Sequence, residues 1–401
     1  MYLTRYIYFL VLPLTSICAA NGEAHSLLAN RGHHDNDGNF LASNLTRRTD
    51  DNVDPFAGAS TAYFTVGSPS DAGCCSTDQL NTLNSWLSEI ALLHTAVLNA
   101  MSGYETDLGI QELITLWLGI EFYDNDVDSD SYGLWNNLLV RLDAVSNFLA
   151  GEGLKNAVTT QPPWLFCNDG YSDADEAQWD QPAKDSTGQF VRNGDNEYFK
   201  LQDVFPRPKA SGWEVFWAKL LNAYEFDAPN SGQTLCAVTY RAAFTSKKSA
   251  QASFAAEPNT VTTGAYDRHV TLCPYAFNPV WSHKVPELAT VISYQGYPVP
   301  GNVLSEFTTK SATLYHELFH LTDTEGTTAD PFKSMLDCSN AARQQNSLIS
   351  TNPENFVLFA TALYIYKNPP ATPESNPDKP AIIFSWDGEA RLASEMTANR
   401  S

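Results

Sequence analysis

The sequence predicts an α+β fold, mostly helical with a small β-sheet and stapled by disulfides, on three observations. Apolar residues recur at three- and four-residue steps in the first and last thirds of the chain, the spacing of buried helix faces. The middle third instead carries short aromatic and β-branched runs between turn residues, the mark of strands. Outside the first twenty residues there are six cysteines, an even number spread along the chain and therefore a framework of up to three bridges.

Residues 1–20, MYLTRYIYFLVLPLTSICAA, open with basic Arg5, run apolar from Tyr6 to Cys18, and end on the small residues Cys18 and Ala20. That order is a secretory signal peptide, and the run is too short to span a bilayer. Residues 21–48 are polar, lack a periodic apolar face and end on Arg47-Arg48, a dibasic pair that reads as the processing site of a pro-segment. Residues 49–401 are expected to form one domain, because no Pro-, Ser- or Thr-rich linker divides them, and the mature chain is expected to be secreted and monomeric. At 43% apolar and 12% aromatic the chain has ample material for a core, and its formal charge of −22 opposes contact with nucleic-acid phosphates or anionic lipid. Neither nucleic acid nor membrane is an expected partner.

After Ser76 or Thr77 as cap, Leu80, Leu83, Trp86, Leu87, Ile90, Leu93 and Val97 trace one face of a long helix. His94 lies beside that stripe with no ligand-spaced partner and reads as a core histidine. Helices follow around IQELITLWLGIEFY and YGLWNNLLVRLDAVSNFLAG, separated by DNDVDSDS, an acidic turn without the glycine and distal glutamate of a calcium loop. PPWLFCND, TLCAVTYRAAF and RHVTLCPYAF predict strands, and the stretch near 170–230 reads as a long acidic surface insertion with too few clustered apolar residues for a core of its own. Helices return over SATLYHELFHL, SMLDCSNAARQQNSLI and PENFVLFATALYIY, the last begun by Asn352 and Pro353.

LYHELFHL carries the chemistry. Residues four apart on a helix project from one side, so His316 and His320 can present imidazole nitrogens to a single ion, with Glu317 placed as a general base for hydrolysis. Leu314, Leu318, Phe319 and Leu321 surround these polar residues and imply a buried helix, in which His and Glu need partners. A catalytic Zn2+ site wants a third protein ligand. The carboxylates within reach in sequence are Asp323, Glu325, Asp330, Asp337 and Glu354. Glu354, at the start of a second helix able to cross the first, is the expected ligand.

HELFH followed by the carboxylate of NPENFVLFATALY resembles the aspzincin metalloendopeptidases, the secreted fungal group of deuterolysin and the peptidyl-lysine endopeptidases. GCCSTDQLNTLNSWLSEIALLHTAVLNA resembles their opening helix, and HVTLCPYAF the strand before their zinc helix. The resemblance implies a zincin-like domain and a secreted zinc endopeptidase acting on protein or peptide substrates, with His316, His320 and Glu354 as ligands and Glu317 as base. It also implies Cys236 paired with Cys273, one of Cys74 and Cys75 with Cys167, and the other with Cys338. Where the family carries Gly-Thr-x-Asp-x-x-Tyr-Gly, this chain has GTTADPFKS, with Asp330 one place late and no Tyr-Gly. That departure puts a lysine preference in question and motivates an alternative function, a secreted zinc-binding protein with weak or no catalysis.

Overall fold

The computed structural model describes residues 60–397 apart from 174–177, 194, 228–233, 238–240, 247–252, 257–258, 263, 265, 279–283, 324–325 and 371–378. The expected signal peptide (1–20) and pro-segment (21–48) lie outside the described residues.

Helix α1 spans Thr77–Gly103 and starts in a reciprocal cap: Ser76 Oγ accepts from the Gln79 N–H, and the Gln79 side chain accepts from the Ser76 N–H. Its stripe from Leu83 to Val97 is buried. Helix α2, Leu108–Leu118, is capped by Asp107 and ends at Gly119, whose φ of 70° and close approach to the Ala342 carbonyl leave no space for a side chain. Helix α3 spans Tyr132–Leu149. Between α2 and α3 the acidic segment is a tight hairpin, with Asp124 and Asn125 at positive φ and the Asp128 side chain accepting from the Asp130 N–H.

Strand β1, Leu165–Phe166, leads into the insertion, where β2 (Ser172–Asp173), β3 (Glu214–Ala218) and β4 (Ala223–Asp227) form an antiparallel sheet. Contrary to the sequence expectation, the insertion buries a cluster of its own: Ala183, Leu201, Val215, Trp217 and Tyr224, flanked by Trp179, Phe205 and Phe226. β5 (Ala243–Ser246) and β6 (His269–Leu272) complete a second sheet, with β6 in the middle, parallel to β1 and antiparallel to β5.

Helices α4 (Ser311–Thr322), α5 (Met335–Arg343) and α6 (Pro353–Lys367) follow. α4 carries the HELFH motif and packs against β5 and β6 as well as α1, α3 and α6. Leu314, Tyr315, Leu318 and Leu321 are fully buried, and Phe319 stacks on Phe356 of α6 at 4.4 Å between ring centres. Glu89 of α1 ties down the α4 start, accepting from Ser311 Oγ (2.6 Å) and the Leu288 N–H (2.7 Å), where its charge also suits the helix dipole. α6 begins at Pro353 as expected, but the Asn352 side chain makes no cap. Its Nδ2 donates to Asn355 Oδ1 (2.7 Å), and Asn355 Nδ2 in turn donates to the carbonyls of Trp117 and Cys338, joining α2, α5 and α6.

Disulfides join Cys75 to Cys167 and Cys236 to Cys273. The third expected bridge does not form, because Cys74 lies against Gly67 while Cys338 is buried beside Asn352 and the Phe332 carbonyl. The motif helix is also locked from behind. Tyr315 Oη lies 2.9 Å from Nδ1 of buried His94, and Ser146 Oγ of α3 lies 2.8 Å from His94 Nε2. Ser146 Oγ donates to the Leu142 carbonyl, so it accepts from Nε2–H, and Nδ1 accepts from the tyrosine. Burial pushes the His94 pKa down to about 4.

Two outcomes follow. Replacing Cys75 and Cys167 by alanine opens a loop of sequence separation 92 and is expected to cost about 4–5 kcal/mol, read from the denaturant midpoint. Unfolded His94 binds a proton near pH 6.5 while folded His94 resists it until about pH 4. The contribution of the neutral ring is therefore complete above pH ~6.5 and lost as pH falls toward 4, a swing on the order of 3 kcal/mol. His94→Gln should flatten that part of the stability profile.

Candidate metal centre

His316 and His320 lie one helical turn apart on α4, and their ring centres are 5.1 Å apart. Both rings turn Nε2 toward the same oxygen: Asp330 Oδ1 is 3.1 Å from His316 Nε2 and 3.0 Å from His320 Nε2. Most of α4 is packed inside the protein, whereas these two side chains keep 19% and 16% of their surface and Asp330 keeps 40%, enough to admit an ion or water.

Asp330 reaches the helix because the segment after α4 folds back on it. Asp323 ends α4, and its carboxylate accepts from the Thr328 N–H (2.5 Å). Gly326 supplies a left-handed residue at φ 65°, and the Ala329 N–H donates to the Thr351 carbonyl just before α6. Pro331 follows and disfavours helix at Asp330. The chain thus leaves the helix and brings Asp330, ten residues after His320, back to that last histidine.

The expected third ligand, Glu354, is elsewhere. Its Oε2 lies 3.3 Å from His316 Nδ1, on the ring nitrogen opposite to Asp330, so it orients the imidazole from outside the cluster. The carboxylate grouped with His316 and His320 is Asp330, all three offering ligand atoms within 4.8 Å of one another. The physical reason lies in α6: its first turn approaches α4 on the Nδ1 side, leaving the Nε2 side to the returning loop. Asp323 binds the loop and Asp337 accepts from Ser334 Oγ at the start of α5, while Glu325 lies outside the described residues.

Glu317 is buried on the β5 side of α4, where Thr245 Oγ1 donates to its Oε2 at 2.7 Å. Three carboxylates therefore surround two imidazoles, and the electrostatics follow. Burial alone would lower the His316 pKa, but Asp330 and Glu354, joined by the charge of Glu317, outweigh it and raise it to about 10. Burial would raise Asp330 and Glu354, yet contact with the imidazoles holds both below the usual carboxylate range. Lys284 adds positive charge near Glu354, its own pKa drawn down by burial and partly restored by that carboxylate.

The donor set fits a divalent ion of borderline softness, two imidazole nitrogens and one carboxylate oxygen. Donors ~2.1 Å from a shared tetrahedral centre stand ~3.4 Å apart, close to the 3.0 and 3.1 Å found here. A cation would take the place of the proton that the carboxylates otherwise keep on His316. Glu354, expected from the sequence beside the pair, stands at His316 Nδ1, and Asp330 stands at Nε2. The available signal was the match of Gly326 and Thr327 to the loop pattern with a carboxylate soon after. Tyr315, bound to His94 and fully buried, is unavailable to a reacting group. Comparison of the chain with models of known families, with curated proteins and with solved structures finds no match.

Zinc titration against a competing chelator separates the two acids. Asp330→Ala should weaken binding by more than 100-fold, as loss of a direct ligand, whereas Glu354→Gln should cost about 10–100-fold, as loss of an orienting group.

Proposed function

We propose that the protein is a secreted zinc-dependent endopeptidase, with His316, His320 and Asp330 holding the metal and Glu317 acting as general base. The observation that carries this reading is the meeting of both Nε2 atoms on one carboxylate oxygen, on a helix that also presents a buried glutamate. Zinc, when bound, supplies a Lewis acid beside which water becomes acidic near neutral pH. Glu317 then takes the proton of the attacking water on its carboxylate and passes it to the nitrogen of the departing peptide. The Thr245 hydroxyl keeps Oε2 of that carboxylate in one orientation through both transfers. Glu354 fixes the His316 ring by its far nitrogen, so the ligand pair does not reorient as charge develops.

Secretion is supported by the leader sequence and by two disulfides, which persist in oxidising compartments. Among the described residues no helix is long and apolar enough to cross a membrane. Protein and peptide substrates and a monomeric state belong to the same proposal. One sequence feature favours the alternative of a zinc-binding protein without turnover: Pro331 and Phe332 follow Asp330 where the resembled family places its pocket loop and tyrosine.

Glu317→Gln decides between the two. It should retain zinc and lose more than 1,000-fold of the cleavage rate on a denatured protein, in line with loss of a general base and the electrostatics around it. Binding of one zinc by the unaltered protein, with no cleavage of any unfolded protein from acid to alkaline pH, would leave the binding protein as the reading.

A further inference from the structure

The loop that delivers Asp330 is held by a charged latch in which Asp330 takes no direct part. Asp323 is almost wholly buried, and its Oδ1 pairs with Arg141 Nη1 of α3 at 2.5 Å. Arg141 Nη2 donates to Thr327 Oγ1 at 2.6 Å, so one guanidinium binds both ends of the turn. Asp323 Oδ2 accepts from the Thr328 N–H at 2.5 Å, and the Gly326 N–H reaches the Asp323 carbonyl at 3.4 Å. Arg268 adds charge near Asp323 and donates from Nη1 to the Leu321 carbonyl at 3.1 Å, steadying the last turn of α4. Among the described residues these contacts hold the turn through Asp323 and Thr327, and none of them involves the histidines.

We propose that Asp323 and Arg141 are positioning residues that preset the loop and thereby set the affinity of the metal centre. The inference rests on reading His316, His320 and Asp330 as that centre. Its physical basis is preorganisation. An exposed loop carrying a lone aspartate samples many conformations, and a ligand that must be ordered on binding weakens the site by the entropy lost. Here the bidentate fork of Arg141 and the buried carboxylate have already ordered residues 326–328, and the Ala329 N–H is tied to Thr351. Asp330, the next residue, is thereby held where its Oδ1 stands 3.1 and 3.0 Å from the two Nε2 atoms.

The test measures zinc affinity by chelator competition on the full chain, with melting temperature in excess chelator as a folding control. Asp323→Asn should weaken zinc 10–100-fold. Arg141→Lys, which keeps the charge but not the fork, should weaken it by about threefold to tenfold. In an Asp330→Ala background both effects should shrink to less than twofold, because a residue that acts through Asp330 has nothing left to position. A purely structural role would instead reduce affinity equally in both backgrounds, and that result overturns the proposal. Zinc binding by Asp323→Asn and Arg141→Lys as tight as in the unaltered protein also overturns it, while leaving the metal centre intact. Failure of the unaltered protein to bind zinc removes the centre itself and the latch with it.

Discussion

The burial of α4 is the constraint on which the rest depends. A helix packed against two strands and three other helices has no room for uncompensated polar side chains, yet it carries two imidazoles and a carboxylate. Each is answered by a different part of the chain: Glu354 from α6, Asp330 from the loop, Thr245 from β5. The partners come from different elements because the helix is packed on most of its faces, with the histidine face left partly open. Its fixed position also explains the layers behind it, where Glu89 holds its first residue and the His94–Tyr315 contact holds its middle. These groups meet no substrate, but they remove the freedom of the helix to roll or slide.

Much of this architecture was legible in the sequence where a period or a local cap was at work. The long first helix followed from its apolar steps and a capping residue at its start, and α6 from Pro353 and its apolar residues. The histidine pair was legible for the same reason, since i and i+4 share a side of any helix. The acid on the Nε2 side of the pair was not. Choosing Asp330 over Glu354 requires knowing that Asp323 turns the chain through Gly326 and that α6 meets His316 at Nδ1, and both facts depend on pairings between residues distant in sequence. The core of the insertion was hidden likewise, because Trp179, Leu201, Trp217 and Tyr224 share no local period and meet only when β3 and β4 pair.

Strand β5 shows how the insertion bears on the centre. Its neighbouring residues point to opposite faces: Thr245 toward Glu317, and Ser246 toward Glu225 of β4 at 2.9 Å. Glu225 also meets buried His269 of β6 at 2.6 Å, and Tyr171 Oη completes the group at 3.2 Å from the same nitrogen. A compact polar knot of the insertion and the second sheet therefore lies one residue from Thr245, which holds Glu317. The acidic arm that looked like a surface decoration in the sequence is part of the support for that strand.

Among the described residues two cysteines are unpaired, and they have a practical bearing. Cys74 and Cys338 are both buried, and burial lifts both thiols above their ordinary range, so little of either is thiolate in the native state. Alkylating reagents need an exposed thiolate, and they would find one only when the surrounding chain opens. One thiol reports on the segment before α1, the other on α5 beneath the centre, which gives the molecule two native gauges of local opening that need no engineered label.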